Sequence, residues 1–171
     1  MTEIPPLILT LKLDVGSQSF FDSMRERHFP PERNFIAAHV TLFHALQGFL
    51  LEDISSDVAK VCRDHSRFPV RVRKLRSLGG GVAYVLASDE LSGVRSDLVR
   101  EWKSFLGAQD KQKFSPHVTV QNKVKPEQAR QLFAELEPSF EPFEVTAEGL
   151  LLWRYMGGPW KFERGFDLGS A

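Results

Sequence analysis

Two four-residue runs, HVTL at 39–42 and HVTV at 117–120, constrain this chain more than any other feature. Each lies in a stretch that reads as a strand, and alternate side chains of a strand share a face. His39 and Thr41 therefore point one way, with Val40 and Leu42 pointing the other; His117 and Thr119 are set against Val118 and Val120 in the same manner. With the aliphatic residues packed under helices, an imidazole and a hydroxyl stand side by side on the open face, and the chain does this twice.

The surroundings of the two runs repeat as well. LILTLKL, from Leu7 to Leu13, reads as a strand ending in a turn at DVG. SQSFFDSMRERHF follows as a helix, with Ser17 or Ser19 as N-cap and Pro30 and Pro31 as the stop. NFIAAHVTLF is the second strand, and LLEDISSDVAKVCRDH is a helix with Leu51, Ile54, Val58, Val61 and Cys62 on one face. FPVRVRKLRSLGGGVAYVLAS reads as two strands around a turn at Gly79 to Gly81. From Val82 the order begins again: strand VAYVLAS, helix ELSGVRSDLVREWKSFL, strand SPHVTVQ, helix KPEQARQLFAELE and strand FEVTAEGLLLW. A last run, PWKFERGFDL, adds an edge or hairpin strand. The first strand starts about as far ahead of His39 as its counterpart does ahead of His117. The pattern predicts one domain over 1–171 built from pseudo-repeats at about 1–80 and 81–171, each running strand, helix, strand, helix, strand. A pseudo-twofold relation between them brings both His and Thr pairs onto one concave surface.

What that surface can do follows from the side chains. An unperturbed imidazole has a pKa of about 6.5, so two that face each other can serve as general acid and general base. A threonine hydroxyl can donate to a non-bridging phosphate oxygen, where charge builds in the transition state. These are the parts for in-line displacement at phosphorus without a metal. With 22 Lys plus Arg against 22 Asp plus Glu, no global positive field draws in polyanions, so phosphate binding must be local and no DNA partner is expected. The sole cysteine, Cys62, excludes an internal disulfide and argues against a thiolate metal site. The N-terminal run MTEIPPLILTLKLDVG is too short and too broken for a signal peptide, and no stretch approaches the roughly 20 apolar residues of a membrane span. The expectation is a soluble, cytoplasmic protein without a cofactor, most simply a monomer.

The paired His-x-Thr-hydrophobic motifs resemble those of the 2H phosphoesterase superfamily, which contains the RNA 2′,3′-cyclic phosphodiesterases also called 2′-5′ RNA ligases. The resemblance covers nearly the whole chain, although FHALQG after the first motif departs from the RFLG-like sequence of the bacterial RNA-ligase branch and marks a divergent one. It implies a bilobal α+β fold, two antiparallel sheets flanking a central cleft with helices outside, and metal-free hydrolysis of a 2′,3′-cyclic phosphate or a related 2′-linked phosphodiester. His39 then protonates the leaving ribose oxygen, His117 activates water, Thr41 and Thr119 hold the phosphate oxygens, and the partner is a nucleotide or an RNA end. The alternative is a module that binds such a ligand without turning it over; a His-based metal site is a weaker third.

Other residues attract attention on chemistry alone. His44, even-numbered on a strand whose functional residues are odd, is expected to point away from the cleft. Arg71 and Arg73 alternate with valines and are candidates for phosphate binding, as are Arg154 and Lys161 near the last hairpin. Phe43, Tyr84 and Trp153 have faces on which a base can stack. His28 and His65 read as structural, and the glycines at 79–81 read as a hairpin turn rather than a phosphate cradle.

Overall fold

The computed structural model describes residues 3–169. Their α-helices and strands follow the order read from sequence: β1 (Leu7–Leu13), α1 (Val15–His28), β2 (Thr41–Leu46), α2 (Leu51–Asp64), β3 (Phe68–Ser77), β4 (Val82–Ala87), α3 (Asp89–Trp102), β5 (His117–Gln121), α4 (Pro126–Leu136), β6 (Phe143–Tyr155) and β7 (Trp160–Asp167). The α1 cap is Asp14, one turn earlier than the serines predicted. Its Oδ2 accepts from Ser17 N at 3.0 Å and its Oδ1 from Thr146 N at 2.9 Å, so the carboxylate that starts the helix also fastens it to β6. α3 starts on Ser88, whose hydroxyl accepts from Leu91 N, with Asp89 and Glu90 placed in its first turn against the helix dipole.

All strand pairs are antiparallel, in the order β2-β1-β6-β3-β4-β5 with β7 added to β6. Strand β6 is 13 residues long and serves three neighbours. Ala147 is paired with Leu13 of β1 and with Phe68 of β3, so these two strands lie on opposite edges of β6. Farther along, Gly149 to Tyr155 pair with β7. The two sheets that the resemblance implied are thus two arms, β2-β1-β6-β7 and β6-β3-β4-β5, joined through β6 into one hydrogen-bonded sheet. Exchanging the halves maps β1 on β4, β2 on β5 and β3 on β6, and leaves the order unchanged. Each half places its third strand beside the first strand of the other, and the buried pair Val70 and Val145 lies at the crossing.

The helices cross over in the same way. From α1, the buried Arg25 donates through Nη1 to Thr119 O of β5 at 3.0 Å. From α3, Arg95 donates through Nε to Leu42 O of β2 at 3.0 Å. β2 and β5 end the strand order, where open backbone groups invite pairing with another chain; an arginine from the opposite half satisfies a carbonyl on each. Between sheet and helices lies a core that includes Phe21, Phe43, Tyr84, Trp102 and the aliphatic residues of β1 and β6. Phe43 stacks edge-on to Trp102 with centroids 4.9 Å apart, and Tyr84 does so with Phe21 at 5.4 Å. Phe43 and Tyr84, two of the three candidate stacking residues, are therefore core. His65 is structural as read, with Nε2 2.8 Å from Asp97 Oδ2 between α2 and α3.

The glycines at 79–81 form the β3–β4 turn, with Gly79 at φ +83° and Leu78 N donating to Gly81 O. A Cβ on Gly81 would stand 1.8 Å from Gln121 O of β5. Gly81→Ala is thus expected to push the turn off β5 at a cost of about 2–3 kcal/mol. Thermal unfolding should read this as a Tm lower by about 5–10 °C. Among the described residues no helix is long and apolar enough to cross a membrane.

Candidate active site

His39 precedes the first residue of β2 and His117 is the first residue of β5. The loop carrying His39 is fixed from α1: Gln18 Nε2 donates to Ala38 O at 2.8 Å, and Asp22 Oδ1 accepts from Ala38 N at 2.8 Å. Each imidazole is then oriented by a carbonyl two residues upstream, His39 Nδ1 by Ala37 O at 2.9 Å and His117 Nδ1 by Ser115 O at 2.8 Å. A carbonyl only accepts, so Nδ1 carries the hydrogen in both rings and the neutral Nε2 keeps a lone pair. The two halves build the same device.

Although β2 and β5 lie at opposite ends of the strand order, the sheet curls enough that their residues line one pocket of about 160 Å³. Its walls are Ile8, His39, Thr41, His44, His117, Thr119 and Trp160. The pocket therefore contains all four residues singled out by the motifs. It adjoins a larger cavity of about 750 Å³ that shares His39 and Trp160 and reaches Lys12, Asp22 and Trp153. The Trp160 ring leans on His39 with centroids 4.6 Å apart, and Trp153, its Nε1 donating to Thr10 Oγ1 at 2.9 Å, sits behind it.

Burial drives the His39 pKa down to about 4, with the charges of Arg25, His117 and His44 adding to the effect against the hydrogen bond to Ala37. Burial likewise lowers the His117 pKa, helped by Arg76 and His44 and opposed by the bond to Ser115. Both rings are consequently neutral at pH 7 in the free protein. Among the described residues no group of three or more His, Cys, Asp or Glu side chains is placed to hold a metal ion.

Several expectations need correction. His44 does not point away from the cleft; it lines the pocket. The register of β1 on β2 slips twice, from Leu7 with Leu46 to Leu9 with Phe43 to Thr10 with Thr41, and Leu42 and Phe43 are consecutively buried. A bulge of this kind inverts the alternation beyond it and re-aims side chains. Arg71 and Arg73 are exposed and outside the pocket lining; Arg76, also outside that lining, donates to Ser115 Oγ at 3.1 Å, and its charge acts on His117. A register shift between Val72 and Lys74 separates Arg76 from the alternation of the first two arginines. Arg154 is structural, donating to Glu163 Oε1, Pro5 O and Gly48 O, and Lys161 lies near that same Glu163. Reasoning from sequence missed Arg76 and Trp160. Two large apolar neighbours, Leu42 and Phe43, were the local sign of the bulge.

A family model described as the 2'-5' RNA ligase superfamily matches residues 13–159 of the chain. No curated protein matches it. Among solved structures, TT0787 of Thermus thermophilus superposes with a TM-score of 0.69 at 16% identity, over 96% of this chain and 98% of that one. A structure described as a phosphoesterase gives 0.65 at 16% identity, over 98% and 100%. E. coli LigT complexed with 3′-AMP gives 0.60 at 15% identity, over 97% and 99%.

Proposed function

Because the chain belongs to the 2'-5' RNA ligase superfamily, we propose that it is a metal-independent phosphoesterase that hydrolyses a 2′,3′-cyclic phosphate on a nucleotide or RNA end, or a related 2′-linked phosphodiester. The observation that carries this reading is the convergence of His39, His117, Thr41 and Thr119 on one phosphate-sized pocket, with both imidazoles held in the same tautomer by backbone carbonyls. The 3′-AMP in E. coli LigT supports a nucleotide as the occupant. The reading includes one domain over residues 1–171, acting as a monomer in the cytoplasm without a cofactor.

His117 Nε2 takes a proton from water as it attacks phosphorus, and His39 Nε2–H gives one to the departing ribose oxygen. The Thr41 and Thr119 hydroxyls donate to the two non-bridging oxygens, whose charge they stabilise more in the transition state than in the ground state. The reaction needs one proton on the pair. Its rings lose that proton readily in the free protein, and the anionic phosphate, by attracting positive charge, restores it on binding.

That requirement fixes the pH dependence. The acid is competent below its pKa and is lost as pH rises through it; the base is competent above its pKa and is lost as pH falls. Since both pKa values lie below 6.5 in the free protein, kcat/KM is expected to peak below pH 6.5. The kcat profile, which reports the substrate-bound pair, should lie at higher pH. Coincident profiles centred above pH 7 would refute the assignment.

Turnover of the four 2′,3′-cyclic nucleoside monophosphates in excess chelator, with products resolved by phosphorus NMR, tests the function. Hydrolysis that persists in chelator supports metal-free chemistry. Tight nucleotide binding without product would instead establish the non-catalytic module.

A further inference from the structure

The second histidine of β2 has a setting that the proposed reaction does not use. The bulge at Phe43 breaks the pairing with β1, and the freed donors find one residue: Asp110, in the loop after α3, accepts from His44 N through Oδ1 at 2.7 Å and from Ala45 N through Oδ2 at 3.0 Å. The same Oδ1 lies 3.2 Å from His44 Nδ1. Asp110 is only 2% exposed; burial would raise its pKa, but the hydrogen bonds from His44 and Ala45 outweigh that and hold it below the usual carboxylate range. Arg95 Nη2 anchors the loop by donating to Asp110 O at 2.7 Å. A carboxylate fixed in this way dictates that His44 Nδ1 carries a hydrogen. The ring, 44% exposed, keeps Nε2 for the pocket that it lines with His39 and His117.

We propose that His44 is a third substrate-contacting histidine, binding a phosphoryl oxygen through Nε2, and that Asp110 is its positioning residue. The assignment rests on reading the cleft as a phosphoester site. The small volume of the pocket supports it, because a phosphate between His39 and His117 has its remaining oxygens within reach of the other walls. With Nδ1–H held by Asp110, Nε2 meets a phosphoryl oxygen through a shared proton in an orientation fixed in advance, so binding energy is spent on the phosphate and not on orienting the ring. A bulge that served only packing would not require a buried carboxylate aimed at the imidazole as well as at the two backbone donors.

The charged and titratable groups around this pair are Asp110 and Arg95 from the α3 side, His39 ahead of β2, and His117 of β5. His44 lowers the pKa of both other histidines by charge repulsion. Removing it should therefore displace the pH profile of kcat/KM toward alkaline pH, a change that a packing role would not produce.

The test compares wild type, His44→Ala and His44→Gln in the full chain. Asp110 still caps the two backbone donors in both variants, so folding should be retained, and thermal unfolding checks this. Affinity is measured by titration with inorganic phosphate and with nucleoside 2′- and 3′-monophosphates, and kcat and KM with cyclic nucleotides. A charge-assisted hydrogen bond is worth about 1.5–3 kcal/mol, so His44→Ala should weaken phosphate and nucleotide binding about 10- to 100-fold and raise KM more than it lowers kcat. Gln, whose amide N–H can reach in place of Nε2, should restore part of the loss. Unchanged affinity and an unchanged pH profile in a folded His44→Ala protein would overturn the proposal. If wild type turns over no cyclic nucleotide, the proposed function falls, yet a His44-dependent loss of phosphate affinity would still uphold the binding role, and its absence would reject it.

Discussion

His39→Ala and His117→Ala are each expected to lower kcat for cyclic nucleotide hydrolysis by about 100- to 10,000-fold, the contribution of a positioned acid or base, while KM changes little. Neither ring lies in the hydrophobic core, and neither substitution removes a cap or a strand pairing, so thermal stability should be preserved. The double variant should be scarcely worse than the weaker single, because residues that act as one unit lose their effect together. The limbs of the pH profile separate the roles. The variant that has lost its acid should lose the alkaline limb, and the variant that has lost its base should lose the acid limb. We expect the first for His39 and the second for His117; the reverse result would exchange the roles and leave the pair intact. A single variant with near-wild-type kcat would remove that histidine from the mechanism.

Arg25→Met carries the largest expected cost to stability and reaches the site as well. Arg25 is 3% exposed; it donates from Nη1 to Thr119 O at 3.0 Å and from Nε to Asn34 Oδ1 at 3.0 Å, and its guanidinium lies 4.0 Å from the centroid of Phe29. Methionine keeps much of the stem but leaves two half-buried acceptors without this donor. Hydrogen bonds to charged groups contribute about 1.5–3 kcal/mol each, part of which is offset by no longer burying the cation, so a loss of about 3 kcal/mol is expected. Thermal unfolding would report it as a Tm lower by about 6–12 °C. The second readout is electrostatic. The Arg25 charge is one of the causes that depress the His39 pKa, so the variant should raise that pKa and carry the alkaline limb of kcat/KM to higher pH. A stable variant would mean that α1 is not fastened to β5 through this side chain.

The folding of this chain was legible where periodicity and punctuation agreed. α2 is bounded as read because Ile54, Val58, Val61 and Cys62 recur at helical spacing. β5 was found because His117 and Thr119 alternate with Val118 and Val120, whereas β2 begins only at Thr41, past His39 and seven residues later than the strand read over NFIAAHVTLF. What escaped was set by pairings distant in sequence. No local pattern states that β6 serves both arms of the sheet, since that depends on Ala147 meeting both Leu13 and Phe68. The facing of His44 followed from counting alternate residues through Leu42 and Phe43, and a single bulge made the count fail. Asp110 could not be connected to it, because 66 positions of chain separate the two. Trp160 was read only as part of an edge strand, and its contact with His39 exists because β7 returns along β6 to the mouth of the pocket.

The interleaved strand order has a consequence for how the protein comes into being. Residues before the β3–β4 turn supply β1, β2 and β3, but β1 is completed by β6 and β3 by β4, so neither half of the chain can close its own layer of backbone hydrogen bonds. A nascent chain released from the ribosome only through β3 holds His39 and Thr41 without the strand that brings His117. Such pairings between distant segments fold slowly, and catalytic competence should emerge in the last cooperative step. Unfolding followed by activity and by circular dichroism should then give one superimposable transition, and separately expressed halves should be inert alone and active only when they meet.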